Sequence, residues 1–254
     1  MTHPRHPYLD HPGPIPFAHR GGTADGLENT AAAFRRADSL GYRYFETDVH
    51  TTADGRLVAF HDTTLDRVTD GHGRIADLPW DEVRQARVAG KEPLPLFADL
   101  LDEFPDARWN VDIKAAPALV PLVDLIRRTG SWERVCVGSF SERRVAAAAR
   151  LAGPRLATSY GVRGVLGLRL RSYGVPFPVR TGAVSAQVPE AQSGIPVVDG
   201  RFVRTAHARG LQVHVWTVNE ADRMEALLDL GVDGIMTDQL ETLRAVFTAR
   251  GAWH

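Results

Sequence analysis

From residue 15 onward, short apolar runs alternate with stretches of helical spacing, and the alternation repeats eight times. "IPFAHRG" reads as a strand, and "NTAAAFRRADSLG" as a helix beginning near Asn29 and stopped by Gly41. "YRYFETDVH" is the second strand, and "RWNVDIK" the third, followed by the helix "APALVPLVDLIRRTG". "RVCVGSF" with "SERRVAAAARLAG" and "RLATSY" with "GVRGVLGLRLRSYG" supply the fourth and fifth pairs. "AVSAQVPE", with "IPVVDG" as a further candidate, precedes the helix "RFVRTAHARG". "LQVHVWTVN" with "EADRMEALLDLG", and "VDGIMTDQL" with "ETLRAVFTAR", complete the set. Strict alternation of this kind demands a parallel sheet, and eight units point to an α/β fold of the closed (β/α)8, or TIM, barrel type. A length of 254 residues suits one such domain.

One spacing departs from the pattern. About 45 residues separate Asp62 from the third strand, more than a loop and a helix need. Residues 62–95 therefore read as a small insertion between strand 2 and helix 2, lying over one barrel mouth, with "LFADLLDEF" as the displaced second helix. The first 16 residues hold five prolines and no apolar run, so residues 1–14 are expected to be a flexible or surface-hugging tail, neither a signal peptide nor an anchor. Metal binding by His3, His6 and His11 is the lesser reading of that tail. Residues 15–254 then form the single barrel domain. No stretch is long and apolar enough to span a bilayer, and a cytoplasmic location is the default expectation.

Charge narrows the field further. With 30 basic against 31 acidic residues the net charge is −1, which gives no reason to expect nucleic acid as a partner. The basic residues are nearly all arginine, and Lys91 and Lys114 are the two lysines, which draws attention to Lys114. The lone cysteine, Cys136, lies between valines and reads as a buried thiol with no disulfide partner.

In a barrel of this type, functional side chains gather at the C-terminal ends of the strands. The first strand ends in His19-Arg20. Alternation puts Glu46, Asp48 and His50 on one face of the second strand and Asn110, Asp112 and Lys114 on one face of the third. The seventh ends in Trp216. Like-charged carboxylates on one face repel unless a positive charge lies between them. Three of them on neighbouring strands make an oxygen-only donor set, which suits Mg²⁺ or Ca²⁺ better than Zn²⁺. The competing account is an ion-paired network in which Lys114 and Arg20 neutralise the acids. His19 and His61 are the natural acid/base pair, their ordinary pKa lying near neutrality. Asp62 either orients His61 or caps the turn that follows.

These residues resemble the glycerophosphodiester phosphodiesterase family. "AHRGG", "LENT", "ETDVHTTADGRLVAFHDTTLDRVTDGHG", the "DIK" strand, "VWTVN" and "GVDGIMTD" carry the likeness, which runs over essentially the whole chain after residue 15. The resemblance implies that His19 and His61 are the catalytic acid and base, and that Arg20 and Lys114 hold the phosphate. It implies that Glu46 and Asp48 bind a divalent metal, that Glu28 supports the site, and that Trp216 lines the pocket beside the glycerol or the leaving group. The family's third metal ligand is usually Glu, two residues before the lysine. Here that position is Asp112, one methylene shorter. The implied reaction is hydrolysis of a glycerophosphodiester to glycerol 3-phosphate and an alcohol, by way of a cyclic phosphate.

Other readings compete. The stretch "GVRGVLGLRLRSYGVPFPVR" interleaves apolar residues with Arg163, Arg169, Arg171 and Arg180, as a lysophospholipase D-like acyl lip or a membrane-surface contact would need. An ordinary fifth barrel helix is the favoured account of it. A catalytically silent phosphate-binding barrel is opposed by the intact His19, His61, Glu46 and Asp48. An enolase-type lyase would need His214 as its base and would leave both early histidines unexplained.

Overall fold

The computed structural model describes residues 6–23, 26–178 and 182–254. His3 and Arg180, both named above, lie outside the described residues. Strands β1 (Ile15–His19), β2 (Tyr44–Thr51), β3 (Arg108–Ile113), β4 (Val135–Gly138), β5 (Ala157–Thr158), β6 (Ser185–Pro189), β7 (Gln212–Trp216) and β8 (Gly234–Thr237) run in the order β5-β4-β3-β2-β1-β8-β7-β6. Each pairing is parallel. An isolated parallel bridge between Ser159 and Ser185 closes the remaining seam. Tyr160 N–H donates to Ser185 O at 3.0 Å there, and Val184 N–H to Thr158 O at 2.8 Å. The chain forms the expected (β/α)8 barrel.

Helices α1 (Ala31–Ser39), α2 (Phe97–Glu103), α3 (Leu119–Thr129), α4 (Glu142–Ala152), α5 (Val162–Ser172), α6 (Gly200–His207), α7 (Ala221–Asp229) and α8 (Leu240–Ala249) return the chain from each strand to the next. Short polar side chains start several of them. Thr30 accepts from Ala33 N–H, Ser141 from Arg144 N–H and Asp199 from Phe202 N–H, satisfying donors that a first turn leaves open.

Strand pleating sorts the side chains into two layers. Phe45, Val111 and Val213 face outward to the helices, while Glu46, Asn110 and His214 face the barrel axis. Trp109 anchors the outer layer. Its ring meets Phe34 at 4.9 Å, Phe45 at 5.2 Å and Phe97 at 5.5 Å in edge-on geometry, tying α1 and α2 to the sheet.

Residues 6–14, read from sequence as a flexible or surface-hugging tail, close the floor of the barrel. Tyr8 is fully buried against Phe17, Tyr44, Cys136 and Met236, and Tyr44 Oη donates to Tyr8 O at 2.8 Å. An aromatic ring has more apolar area to bury than a surface track would cover, and the barrel floor offers that cover.

A short strand that the sequence pattern did not reveal precedes the insertion. Leu57–Ala59 folds back antiparallel on the end of β2, pairing Val49 with Ala59 and Thr51 with Leu57. Phe60 N–H then donates to Asp48 O at 2.9 Å, and this short return brings His61 to the mouth. Beyond it, a short 3-10 turn (Ile75–Asp77), a single helical turn (Trp80–Val83) and a hairpin (Arg87–Val88 with Glu92–Pro93) enclose a small core of their own around Phe60, Leu65, Ile75 and Val88. "IPVVDG" supplies no barrel strand. Ile195–Pro196 instead pairs antiparallel with Ala191–Gln192 in a hairpin after β6.

Candidate active site

Register brings the site together before any side chain is considered. Parallel pairing sets His19 opposite Glu46, Glu46 opposite Asn110 and Asp48 opposite Asp112 at one end of the barrel. Directly after β1 the chain turns sharply. Arg20 takes a left-handed conformation (φ 53°), which costs a non-glycine residue free energy and needs support. Gly21 follows at φ 80°, where a Cβ would stand 2.9 Å from Ala33 Cβ, so only glycine fits. The turn aims Arg20 N–H at Glu46 Oε2, 3.2 Å away.

Asn29 supplies the support. Buried and itself left-handed (φ 59°), it donates from its N–H to Arg20 O at 2.9 Å and from Nδ2 to Asp48 Oδ2 at 3.2 Å, and accepts from Thr47 Oγ1 at 2.7 Å. Sequence reasoning passed over it in favour of its neighbour Glu28. Glu28 does not line the cavity. It accepts from Arg20 Nη1 at 3.0 Å and from Arg67 Nη2 at 2.7 Å, so it holds one arginine of the mouth and one of the insertion.

The carboxylates at the strand ends meet cations. Lys114 Nζ lies 2.9 Å from Asp48 Oδ1 and 2.7 Å from Asp112 Oδ2, and Arg20 Nε lies 3.2 Å from Asp48 Oδ2. That last pair is an ionic contact without an aligned hydrogen bond. Burial alone would raise Asp48, but Lys114 and Arg20 outweigh it and hold the carboxyl below its ordinary value. Glu46 goes the other way: burial and the adjacent Asp48 charge raise it, against the opposing pull of His19, Arg20 and Lys114. Burial would lower Lys114, yet its two carboxylate partners hold it above the ordinary lysine value. The neutralising network considered above is thus present around Lys114.

Room remains for a further cation. Asp112 Oδ1 is buried with no hydrogen-bond partner, and Glu46 is a buried acid whose charge is incompletely offset. As the side chains stand, no three Asp, Glu, His or Cys residues among the described ones converge on one point. The unmet donors are all carboxylate oxygens, and their chemistry fits a hard divalent ion.

Each of the two histidines is oriented by a carboxylate of its own. His19 Nδ1 stands 2.7 Å from Asp238 Oδ1, and His61 Nδ1 stands 2.6 Å from Asp62 Oδ1. Nε2 of each ring is thereby left for the cavity, and His19 Nε2 lies 3.7 Å from Glu46 Oε2. Burial would lower His19, but Glu46 and Asp238 raise it above the ordinary value. Asn219 fixes Asp238 in turn, donating from Nδ2 to Oδ2 at 3.3 Å and accepting from the Asp238 N–H at 3.0 Å. Asp238 and Asn219 escaped sequence reasoning, although Asp238 ends the quoted "GIMTD" and alternates in phase with inward-facing Met236. Asp62 pairs with His61 and is itself held by Arg67, which donates to it and to Glu28 together. His50, on the same face of β2 as Glu46 and Asp48, holds the His61 backbone through Nε2 at 3.0 Å from His61 O.

The cavity these groups share has a volume of about 360 Å³. Its polar wall carries His19, Arg20, Glu46, Asp48, His61, Asn110, Asp112 and Lys114; the opposite wall is apolar, with Phe140, Val162, Leu166 and Trp216. Trp216 meets Phe140 edge-on at 5.6 Å, and Lys114 Nζ sits 5.6 Å from the centre of the Phe140 ring. His214 lies apart from the site: it is fully buried, against Phe17 at 4.9 Å and within 2.8 Å of Gln212 Oε1, where no substrate reaches. It cannot serve as the base of an enolase-type reaction.

Comparison with known proteins adds an independent line. The sequence profile of the Glycerophosphoryl diester phosphodiesterase family matches residues 19–242. The chain is 43% identical over 253 residues to "Probable glycerophosphodiester phosphodiesterase 2" of Mycobacterium tuberculosis, covering 97% of this chain and 95% of that one. It is 28% identical over 264 residues to Lysophospholipase D GDPD1 of Homo sapiens, covering 90% of this chain and 84% of the relative. A phosphodiesterase from Oleispira antarctica, solved with the product sn-glycerol-3-phosphate, shares the fold with a TM-score of 0.76 at 21% identity, covering 93% and 97% of the two chains. Strand order, site geometry and sequence thus agree, and the chain belongs to the glycerophosphoryl diester phosphodiesterase family.

Proposed function

We propose that this protein hydrolyses glycerophosphodiesters to glycerol 3-phosphate and an alcohol. The observation that carries the reading is the pairing of His19 with Asp238 and His61 with Asp62 around one cavity whose wall is a carboxylate and cation cluster. Each carboxylate sets the tautomer of its histidine, so that one ring can accept a proton while the other donates one.

In this account Arg20 and Lys114 bind the phosphodiester oxygens, exchanging part of their pairing with Asp48 and Asp112 for the substrate. One histidine takes the proton of the substrate's glycerol hydroxyl as that oxygen attacks phosphorus. The other gives a proton to the departing alcohol. The roles reverse when water opens the resulting cyclic phosphate. Glu46, Asp48 and Asp112 would hold the divalent cation, Mg²⁺ or Ca²⁺, which when bound supplies charge neutralisation to the phosphoryl group. Trp216 packs against the glycerol or leaving-group side.

A second reading has its own observation. Phe140, Val162 and Leu166 make the wall facing the histidines apolar and continue onto the rim, as an acyl chain would require. The human relative named above is a lysophospholipase D, and the same chemistry on a lysophospholipid would release lysophosphatidic acid. Incubation with glycerophosphocholine, glycerophosphoethanolamine, glycerophosphoglycerol and lysophosphatidylcholine, each with Mg²⁺, Ca²⁺ or EDTA, separates the two. Release of glycerol 3-phosphate supports the first reading. Lysophosphatidic acid alone supports the second, and no turnover of any substrate with either metal counts against both.

A further inference from the structure

The net charge of −1 hides a strong asymmetry. Between residues 142 and 219 the chain has eleven arginines, no lysine and three acids, Glu142, Glu190 and Asp199. This stretch forms α4 to β7, so one side of the barrel is strongly positive and the remainder is correspondingly acidic. Arg171 at the end of α5 and Arg201, Arg204 and Arg209 in and after α6 line a single groove, and among the described residues no acid lines it.

Exposed apolar side chains gather on the same side. Nine large ones are exposed among the described residues, and all but Val120 and Leu230 lie between Phe140 and Ile195. Phe140 and Val162 rim the catalytic mouth at 55% and 57% exposure, and Ile195 projects from the hairpin after β6 at 70%. Tyr173 lines the arginine groove. Basic and apolar residues sharing one face fit a surface that is anionic outside and apolar beneath. A nucleic acid would answer the arginines but offer no apolar layer to Ile195 and Val162.

We propose that the α4–α6 side of the barrel docks on an anionic lipid surface. The arginines of the groove face the headgroups, while Phe140, Val162, Leu166 and Ile195 enter the headgroup and acyl boundary, setting the catalytic mouth at the membrane surface. Among the described residues no helix is long and apolar enough to cross a membrane, so the contact is peripheral.

The test is vesicle co-sedimentation of the full chain, which reads binding and is independent of any activity. Vesicles of phosphatidylcholine are compared with vesicles that also contain phosphatidylglycerol, at low and high salt. Retention on the phosphatidylglycerol vesicles only, weakening with salt, is expected. The double substitution Arg201→Glu with Arg204→Glu should lower the partition by roughly tenfold or more, and Ile195→Asp should lower it too, each with an unchanged melting temperature. None of these three residues lines the catalytic cavity. Absence of retention on the anionic vesicles, equal retention on phosphatidylcholine, or full retention by both variants would overturn the proposal. So would binding to heparin without binding to vesicles, which would point to a soluble polyanion. Should a variant melt early, the lipid and salt contrasts of the unaltered protein decide alone.

Discussion

His19 Nδ1 and Asp238 Oδ1 stand 2.7 Å apart, joining the end of β1 to the residue that follows β8, 219 positions later. The barrel's closure is what makes them neighbours, and the contact selects the tautomer that turns Nε2 toward the cavity. Asp238→Asn keeps the shape and removes the charge. The account expects kcat to fall by about 10²-fold or more with little change in KM. The carboxylate also helps raise His19, so its loss should move the limb of the pH–rate profile set by His19 to lower pH.

Lys114 is the hub of the ion pairs at the mouth. Removing it leaves Asp112 without its cation and the almost wholly buried Asp48 with Arg20 and Asn29 alone, so Lys114→Met should cost about 3 kcal/mol of stability in denaturant unfolding. Lys114→Arg should recover part of that stability, because a guanidinium keeps the charge but not the compact ammonium geometry.

Arg67 reaches from the insertion to both Glu28 and Asp62. It is half-exposed, so its contribution to stability is small. Its contribution to activity should be larger, since it fixes the carboxylate that orients His61. Arg67→Ala is expected to lower kcat about tenfold while shifting the melting temperature little. Arg67→Lys should not restore it, since one ammonium cannot span both carboxylates.

His214 adds a contribution from the barrel floor to the loss of stability in acid. Burial lowers its pKa from the ordinary value to about 3, so the folded protein holds it neutral while the unfolded chain protonates it below about 6.5. Stability from this group is complete above pH 6.5 and falls as the pH drops toward 3. At pH 4.5 the loss should be about 2 to 3 kcal/mol. Unfolding measured from pH 7 to 4.5 in the native protein and in His214→Phe should show the native protein losing more by that margin.

The eight β/α units were legible because each combines an apolar run with a helical period and a capping or stop residue, as Thr30 and Gly41 do for α1. The strand ends bearing His19, Glu46, Asp48, Asp112 and Lys114 were legible from alternation alone, and the structure places them in one cavity. Leu57–Ala59 was hidden because three residues show no period, and its strand status comes from pairing with β2. Asp238, Asn29 and Arg67 were missed for a related reason. Each acts through a partner that only the folded barrel brings near: the phase of Asp238 with Met236 marks its face of the barrel but not its contact with His19. Tyr8 reads as a tail residue among prolines until the barrel floor is there to receive it.

The most direct test of the account compares kcat on glycerophosphocholine for the native protein, His19→Ala, His61→Ala and the double variant. If the two rings work as one acid/base unit, each single substitution should cost about 10²- to 10⁴-fold, and the double variant should be little worse than the poorer single one. A single variant that keeps most of the native rate, or losses that multiply in the double variant, would contradict the two-histidine mechanism.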